Sequence, residues 1–246
     1  MGEILLEARG LSKGFPGVWE HLILDHLDFD VRAGEVHTLL GENGAGKTVI
    51  ANILSGYYDK TEGEVLIRGK PVNLTSPRDG LAHGIAMVHQ ELMLVPAFTV
   101  AQNVMVGLKA PAFSFGLAQV ERRLDELVVR YGLQVDPRAR VEDLSAGEQQ
   151  RVEILKVLFH EPQVLLLDEP TNHLDAESVA WLERHLEDYD GTVIIVTHDR
   201  YFLDNVTGWI LELDRGRGVP YEGNYSSWLE QKEKRLQHED RTEDAR

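Results

Sequence analysis

The sequence predicts an α/β fold in which a mostly parallel sheet is joined to an N-terminal antiparallel β-subdomain and an inserted α-helical subdomain. Three observations support this prediction. A glycine-rich loop at residues 41–48 lies between a short apolar run and a helical run. A second apolar run, at residues 164–167, ends in two carboxylates. Between these two features, residues 91–143 lack a strand pattern.

Composition and charge exclude several classes of protein. The 246-residue chain carries 25 Lys and Arg against 41 Asp and Glu, and its formal net charge of −16 argues against a broad nucleic-acid-binding face. It contains no cysteine, which excludes disulfides and thiolate metal sites. No apolar run is as long as a membrane span, so we expect a cytoplasmic protein that reaches the inner face of a membrane only through partners.

Short runs near the N-terminus predict antiparallel strands. Residues 4–6, 27–31 and 65–67 are apolar or alternate polar with apolar side chains, and turn residues separate them. Such alternation is typical of a strand with one face in solvent. Residues 36–40 are mostly apolar and predict the buried strand that leads into the glycine-rich loop.

The loop at residues 41–48 reads Gly-Glu-Asn-Gly-Ala-Gly-Lys-Thr and matches the phosphate-binding pattern G-x-x-x-x-G-K-[ST] at each fixed position. Glycines let successive backbone N–H groups curl around phosphate oxygens, and the following helix adds the positive end of its dipole. Lys47 supplies a charge for the β- and γ-phosphates, and the Thr48 hydroxyl suits Mg²⁺. The sequence therefore predicts a nucleoside-triphosphate site. Its predicted binding residues are Gly41, Asn43, Gly44, Ala45, Gly46, Lys47 and Thr48.

Aromatic and amide side chains near this loop are weaker candidates. Phe15 could stack on a base or simply anchor the loop, and composition favours the anchor; Trp19 has a weaker claim still. Gln90 follows the apolar run at residues 85–88, and ligand-contacting groups collect at the carboxyl ends of parallel strands. Its amide oxygen could bind Mg²⁺ or a water, although a glutamine at a strand end is more often an ordinary loop residue.

Residues 91–143 predict helices. Residues 100–108 have a helical pattern, and Val120, Leu124 and Leu127 lie on one face of a second helix that Gly132 ends. We interpret this section as a helical subdomain inserted between strands of the core, with a loop at residues 109–116.

Residues 144–150, Leu-Ser-Ala-Gly-Glu-Gln-Gln, predict the start of another helix. Ser145 and Glu148 form a capping box, which explains their spacing without a ligand. The same serine, the backbone at Gly147 and the helix N-terminus also suit an anion such as a γ-phosphate. The two interpretations are compatible.

Two carboxylates and a histidine follow the next apolar runs. Asp168 and Glu169 end the run at residues 164–167, where one carboxylate can hold Mg²⁺ and the other can polarise an attacking water. His198 follows the apolar residues 193–196 and suits contact with a γ-phosphate, although a lone histidine is usually a structural hydrogen-bond partner.

The C-terminal part continues the same alternation of elements. Residues 176–189 predict a helix and residues 209–213 a strand, followed by a turn at residues 214–218 and a loop at residues 221–224. Ser227 and Glu230 predict a capping box at the start of a last helix, whose charged tail should fray or continue the helix.

These motifs, in this order, resemble those of the ABC ATPase family over nearly the whole chain. The resemblance places the family's phosphate loop on residues 41–48, its glutamine loop on Gln90 and its switch histidine on His198. The family's carboxylate pair falls on Asp168 and Glu169.

Two further motifs of the family and one aromatic residue complete the match. The signature, usually Leu-Ser-Gly-Gly-Gln, falls on residues 144–148, where Ala146 and Glu148 depart from it. The D-loop falls on residues 172–175, and Phe15 matches the adenine-stacking aromatic, which strengthens its claim as a base contact.

The resemblance implies a composite site for ATP and Mg²⁺. Two copies would bind head to tail, so that the phosphate loop of one meets Ser145 and Gly147 of the other. Glu169 would act as general base and His198 would stabilise the γ-phosphate. Mg²⁺ would be held by Thr48 and Asp168 and sensed by Gln90. Because residue 169 is glutamate rather than glutamine, we expect hydrolysis.

The resemblance also changes along the chain. Residues 1–160, and residues 76–79, 87–91 and 145–153 in particular, resemble simple-sugar or nucleoside importer ATPases. From residue 164 onward, the chain resembles ABC-F translation factors in residues 171–175, 197–204 and 222–228. We therefore hypothesise a chimera, natural or engineered, joined near residues 159–164.

Three roles follow from this double resemblance. The favoured role is an ATPase that energises an importer through transmembrane permease subunits docked on the helical subdomain. A ribosome-associated translation factor is less favoured because the chain is acidic, and an ATP-binding scaffold without a partner is the third possibility. The predicted organisation is one ABC nucleotide-binding domain over residues 1–246, and a chimeric junction would weaken its hydrolysis.

Within that domain we assign four segments by sequence alone. Residues 1–90 form the β-subdomain and the first part of the nucleotide core, and residues 91–160 the helical subdomain. Residues 161–224 complete the core, and residues 225–246 form a C-terminal helix and tail.

Overall fold

The structure is a computed structural model that describes residues 2–15, 17, 22–107, 116–172 and 174–243. Trp19 and His173 of the predicted D-loop lie outside the described residues, as does nearly all of the predicted loop at residues 109–116.

An antiparallel sheet occupies the N-terminal part of the chain. Its strands are β1 (Ile4–Lys13), β2 (Leu24–Arg32), β4 (Glu62–Ile67) and β5 (Lys70–Val72). They pair in the order β2-β1-β4-β5, and β1 is antiparallel to both of its neighbours. The predicted antiparallel β-subdomain is confirmed.

A larger sheet forms the centre of the molecule. Its strands are β3 (Val36–Gly41), β6 (Ile85–Val88), β7 (Val164–Asp168), β8 (Thr192–Val196), β9 (Trp209–Asp214) and β10 (Arg217–Glu222). They lie in the order β10-β9-β3-β8-β7-β6, and all neighbours are parallel except β10 and β9. Every residue of β7 and β8 is buried, as their apolar sequences require of central parallel strands.

The helices of the described residues surround this sheet. They are α1 (Lys47–Leu54), α2 (Pro77–Ala82), α3 (Val100–Val106), α4 (Leu117–Arg130), α5 (Ala146–Leu158), α6 (Ala176–Glu187), α7 (Arg200–Val206) and α8 (Tyr225–Glu243). A 3₁₀ turn at Val141–Asp143 precedes α5. Between β6 and β7 the described residues form helices and turns without a sheet strand, as predicted. None of the described helices is both long enough and apolar enough to cross a bilayer.

Alternate residues of the central strands face two apolar cores. Leu166 and Ile194 pack with α1 and the antiparallel sheet, whereas Leu167 and Ile195 pack with the helices on the opposite face. The result is a layered α/β fold in which the carboxyl ends of the parallel strands meet at one edge.

Two predictions near the C-terminus were wrong. Residues 217–222 form β10 rather than parts of a turn and a loop, because Gly218 and Pro220 hide the strand pattern but are tolerated on an edge strand. The last helix begins at Tyr225, not Ser227, because the Asn224 side chain caps it: Asn224 Oδ1 accepts a hydrogen bond of 3.1 Å from the Ser227 N–H.

Candidate functional site

A cleft of about 910 Å³ lies at the carboxyl edge of the larger sheet. The phosphate loop that follows β3 forms its floor, and side chains that follow β6, β7 and β8 form one wall. Of the site residues predicted from the sequence, the cleft is lined by Asn43, Gly44, Ala45, Gly46, Lys47, Thr48, Gln90, Glu169 and His198, and it is also lined by Asn172 of the predicted D-loop. Parts of the chain that are more than 150 residues apart are thus brought together by the sheet order.

Glycine is required in the loop where the backbone turns into α1. Gly46 has φ 102°, and a Cβ at this position would lie 2.6 Å from the Leu24 side chain. At Gly41 a Cβ would lie 2.6 Å from the carbonyl oxygen of Leu213 in β9. These contacts show that the loop is held tightly against β2 and β9 with its backbone exposed to the cleft.

Lys47 is a buried cation in the loop. Its ammonium donates hydrogen bonds to the carbonyl oxygens of Gly41, at 2.8 Å, and Glu42, at 3.0 Å. Burial lowers the pKa of Lys47, and the carboxylates of Glu169 and Asp168 oppose this shift. A phosphate would supply this ammonium with a stronger, charged acceptor.

Thr48 and Asp168 fit a magnesium site. The Thr48 hydroxyl donates to Asp168 Oδ1 at 3.3 Å, and Asp168 is 3% exposed. Burial raises the pKa of Asp168, so a cation beside it would offset an unfavourable desolvation. With the Gln90 amide in the same cleft, the donors are hard oxygens of the kind that Mg²⁺ takes alongside nucleotide phosphates.

Glu169 lies directly beyond β7 in an unusual backbone conformation. Its φ is 48°, and its N–H donates to the Val196 carbonyl oxygen at 2.7 Å. His198 Nε2 lies 3.4 Å from Glu169 Oε1. The Glu169 side chain is 12% exposed, whereas that of His198 is 52% exposed. The sheltered carboxylate and the accessible imidazole therefore lie side by side on the same wall of the cleft.

The predicted signature lies apart from this cleft, at the start of α5. Ser145 is exposed, and the capping box with Glu148 is confirmed: Glu148 Oε2 accepts from the Ser145 N–H at 2.8 Å and from its hydroxyl at 2.7 Å. These bonds lower the pKa of Glu148. Gly147 packs against Ser178 of α6, where a Cβ would collide with the serine Oγ.

Phe15 also lies outside the lining of the cleft. Its ring meets Tyr58 edge-on, with centroids 5.5 Å apart, and the Lys13 ammonium lies 4.7 Å from the ring centroid. The predicted contact with adenine stays a prediction.

Sequence reasoning missed one flank of the cleft. Leu22, Ile23 and Arg215 line it on the side of β9, opposite the carboxylates. Arg215 follows the strand predicted at residues 209–213, so its position at the carboxyl end of a parallel strand was the available signal.

Comparison with known proteins identifies the family. Two family models described as "ABC transporter" match the chain, one over residues 24–172 and the other over residues 211–246.

Individual relatives are of two kinds. The energy-dependent translational throttle protein EttA of Haemophilus influenzae is 41% identical over 91% of the chain, and the glucose import ATP-binding protein TsgD13 of Haloferax volcanii is 38% identical over 88%. The chain spans less than half of each, 44% and 45%. Each alignment covers so much of the chain that it must extend across the junction predicted near residues 159–164.

Among solved structures, cbiO1 from Clostridium perfringens, part of the ABC transporter complex cbiONQ, superposes with a TM-score of 0.76. It is 27% identical, and the match covers 94% of the chain and 92% of cbiO1.

Proposed function

The chain belongs to the ABC ATPase family, and we propose that it binds MgATP in the cleft above residues 41–48 and hydrolyses the β–γ bond. The observation that carries this proposal is the convergence of Lys47, Glu169 and His198 on one cleft, beside the Thr48–Asp168 pair. A phosphate-binding loop alone supports binding, whereas a sheltered carboxylate facing the same cleft supports hydrolysis.

In the proposed reaction, Glu169 accepts a proton from the water that attacks the γ-phosphate. His198, 3.4 Å from Glu169, donates a hydrogen bond to a γ-phosphate oxygen, and Lys47 holds the β- and γ-oxygens. Thr48, Asp168 and Gln90 would hold Mg²⁺, which neutralises phosphate charge when bound. Phosphoryl transfer depends mainly on such positioning and on electrostatic stabilisation.

We propose further that the active unit is a head-to-tail dimer. Ser145 and Gly147 do not line the cleft of their own chain, and Ser145 is exposed at the N-terminus of a 13-residue helix. A second copy can present this helix end to the γ-phosphate. The Ser145 N–H and hydroxyl would then exchange Glu148 for phosphate oxygens.

Replacing the proposed base tests hydrolysis. Glu169→Gln removes the proton acceptor but keeps the size of the side chain, so we expect ATP turnover to fall by about 100-fold or more with ATP binding retained. Phosphate release and equilibrium binding of ATP are the two measurements. Glu177→Gln, an exposed carboxylate in the first turn of α6, is the matched control and should turn over like the parent chain. Unchanged turnover in Glu169→Gln would remove Glu169 from the mechanism.

For the partner of this ATPase we propose an importer, with a second candidate supported by a separate observation. The relative named for glucose import supports the importer, as do exposed apolar side chains beside the helical section, Met93 at 54% and Val106 at 66%. The relative named for translational throttling, at slightly higher identity, supports action on the ribosome.

Ribosome pelleting separates the two candidates. If the chain acts on ribosomes, the Glu169→Gln variant with MgATP should co-sediment with purified ribosomes through a sucrose cushion. Lys47→Ala, which cannot hold the triphosphate, should stay in the supernatant. Recovery of both variants in the supernatant, in equal amounts, would contradict the ribosomal role.

A further inference from the structure

The order of strands determines which end of the cleft receives the γ-phosphate. The loop follows β3, and the groups proposed for catalysis follow β8, β7 and β6 on one side of it: His198, Glu169 and Gln90. On the other side lie β9 and β10. A triphosphate with its γ-phosphate among the catalytic groups therefore extends its nucleoside toward the β9–β10 flank.

That flank is built from an arginine and two apolar side chains. Leu22, Ile23 and Arg215 line it, and Leu22 is 42% exposed. Among the described residues that line the cleft, one is a lysine, Lys47, and one is an arginine, Arg215. Within the described part of the chain, no carboxylate lies within 4.0 Å of the Arg215 guanidinium, so this planar cation is available to a ligand.

The backbone holds Arg215 in a strained position. Pairing of Asp214 with Arg217 leaves Arg215 and Gly216 as a two-residue turn, with φ 49° and 79°. Turns with two positive φ values favour Asn or Asp followed by Gly, because other side chains are strained there. An arginine in this position weakens the turn, and strain of this kind concentrates at ligand sites.

The turn also packs closely against the backbone at residues 23–25. The Asp25 N–H donates to the Gly216 carbonyl oxygen at 3.0 Å, and a Cβ on Gly216 would lie 3.0 Å from the Ile23 carbonyl oxygen. The backbone turn that carries Arg215 is therefore held against the backbone of the segment that carries Ile23.

We propose that Arg215 stacks its guanidinium on the nucleobase of the bound nucleotide, with Leu22 and Ile23 forming the apolar side of the base site. This inference rests on the proposed ATP-binding function and names a residue that contacts the base. A guanidinium is flat and weakly hydrated, and it stacks on aromatic rings. A purine nucleotide offers such a ring, whereas a ligand made of phosphate alone does not.

The test compares MgATP with magnesium tripolyphosphate, which lacks the base, by titration calorimetry of the full chain. Arg215→Asn removes the guanidinium and suits the positive φ, so its melting temperature should equal or exceed that of the parent chain. We expect its Kd for MgATP to rise roughly five- to tenfold and its Kd for tripolyphosphate to stay the same. Arg215→Lys, which keeps the charge without the plane, should lose most of the same affinity.

Two controls keep the outcomes distinct. Arg217→Asn changes an arginine two residues away that does not line the cleft, and should bind both ligands like the parent. Lys47→Ala should lose both ligands. Parent-like MgATP binding in Arg215→Asn, or an equal loss of both ligands, would overturn the base contact alone. MgATP binding that survives Lys47→Ala would overturn the proposed function as well.

Discussion

Glu169 combines a strained backbone with the position proposed for the general base. An L-residue with φ near 48° is strained by about 1 kcal/mol or more, and the bond from its N–H to Val196 keeps it there. The same conformation turns the carboxylate from the buried end of β7 into the cleft. A helix or strand conformation would direct the side chain elsewhere, so the strained backbone is what places this carboxylate at the proposed site.

His185 is a buried histidine that does not line the cleft. It is 7% exposed and stacks on Trp181, with ring centroids 5.3 Å apart, and Tyr131 meets it edge-on at 5.4 Å. Its Nε2 is buried without a hydrogen-bond partner among the described residues. Burial lowers the pKa of His185 from its ordinary value of 6.5 to about 4.

This shift predicts a loss of stability as the pH falls. Between pH 6.5 and pH 4 the unfolded chain binds a proton at residue 185 that the folded chain does not, so protonation favours unfolding. When the pH is lowered from 7 to 5, the free energy of unfolding of the parent chain should fall by about 2 kcal/mol more than that of the His185→Phe variant. Urea unfolding of both proteins at the two pH values measures this difference.

His26 provides a control of opposite sign. It is exposed beside Asp25, whose hydrogen bond raises the pKa of His26, so its stabilising effect is present at low pH and is lost as the pH rises. Removing it with His26→Gln should therefore lower the free energy of unfolding more at pH 5 than at pH 7. A His185→Phe comparison that is independent of pH would show that His185 titrates normally in the folded chain.

At the scale of elements, the signature glycine is explained by helix packing. The start of α5 lies against the start of α6, where Ser178 is 3% exposed and its N–H donates to the capping Asp175 Oδ1 at 2.8 Å. A methyl group on Gly147 has no room beside the Ser178 hydroxyl. Glycine at position 147 therefore allows the start of α5, where the exposed Ser145 lies, to pack closely against α6.

Gly147→Ala should therefore act on this contact. We expect it to reduce the free energy of unfolding by about 1–3 kcal/mol, because overpacking displaces α5 from α6. The double variant Gly147→Ala with Ser178→Ala should recover part of this loss, and Gly116→Ala, where no atom lies within 4 Å of the new Cβ, should be neutral. Chemical denaturation measures all three variants. If Gly147→Ala lowers the free energy of unfolding equally in the parent chain and in the Ser178→Ala background, the collision with the Ser178 hydroxyl is not the cause.

Elements were predictable where local pattern and burial agree. The strands β3, β7 and β8 are continuous apolar runs because both of their faces are covered, and the loop after β3 carries a complete motif. The edge strand β10 was missed because Gly218 and Pro220 break its pattern, while pairing with β9 forms it regardless. Arg215 was missed for a related reason, since its place beside the cleft depends on strand order, which is non-local.

At the scale of the molecule, the predicted junction near residues 159–164 lies within a continuous structure. β6, before it, pairs in register with β7, after it, from Ile85–Val164 to Val88–Leu167. The N–H groups of Gln163 and Val164 donate to the Gly84 carbonyl oxygen at 2.8 and 3.0 Å. A chimeric origin stays a hypothesis, and neither the pairing nor the relatives of both kinds require it.

The central claim is that one chain supplies half of a composite ATP site. Sedimentation equilibrium of the Glu169→Gln variant, with and without MgATP, tests it most directly. The chain has a mass of 27.7 kDa, and we expect the nucleotide to convert it to a species of twice that mass. The same variant carrying Lys47→Ala should stay at the mass of one chain. A Glu169→Gln protein that binds MgATP yet remains at 27.7 kDa at all concentrations would contradict the account.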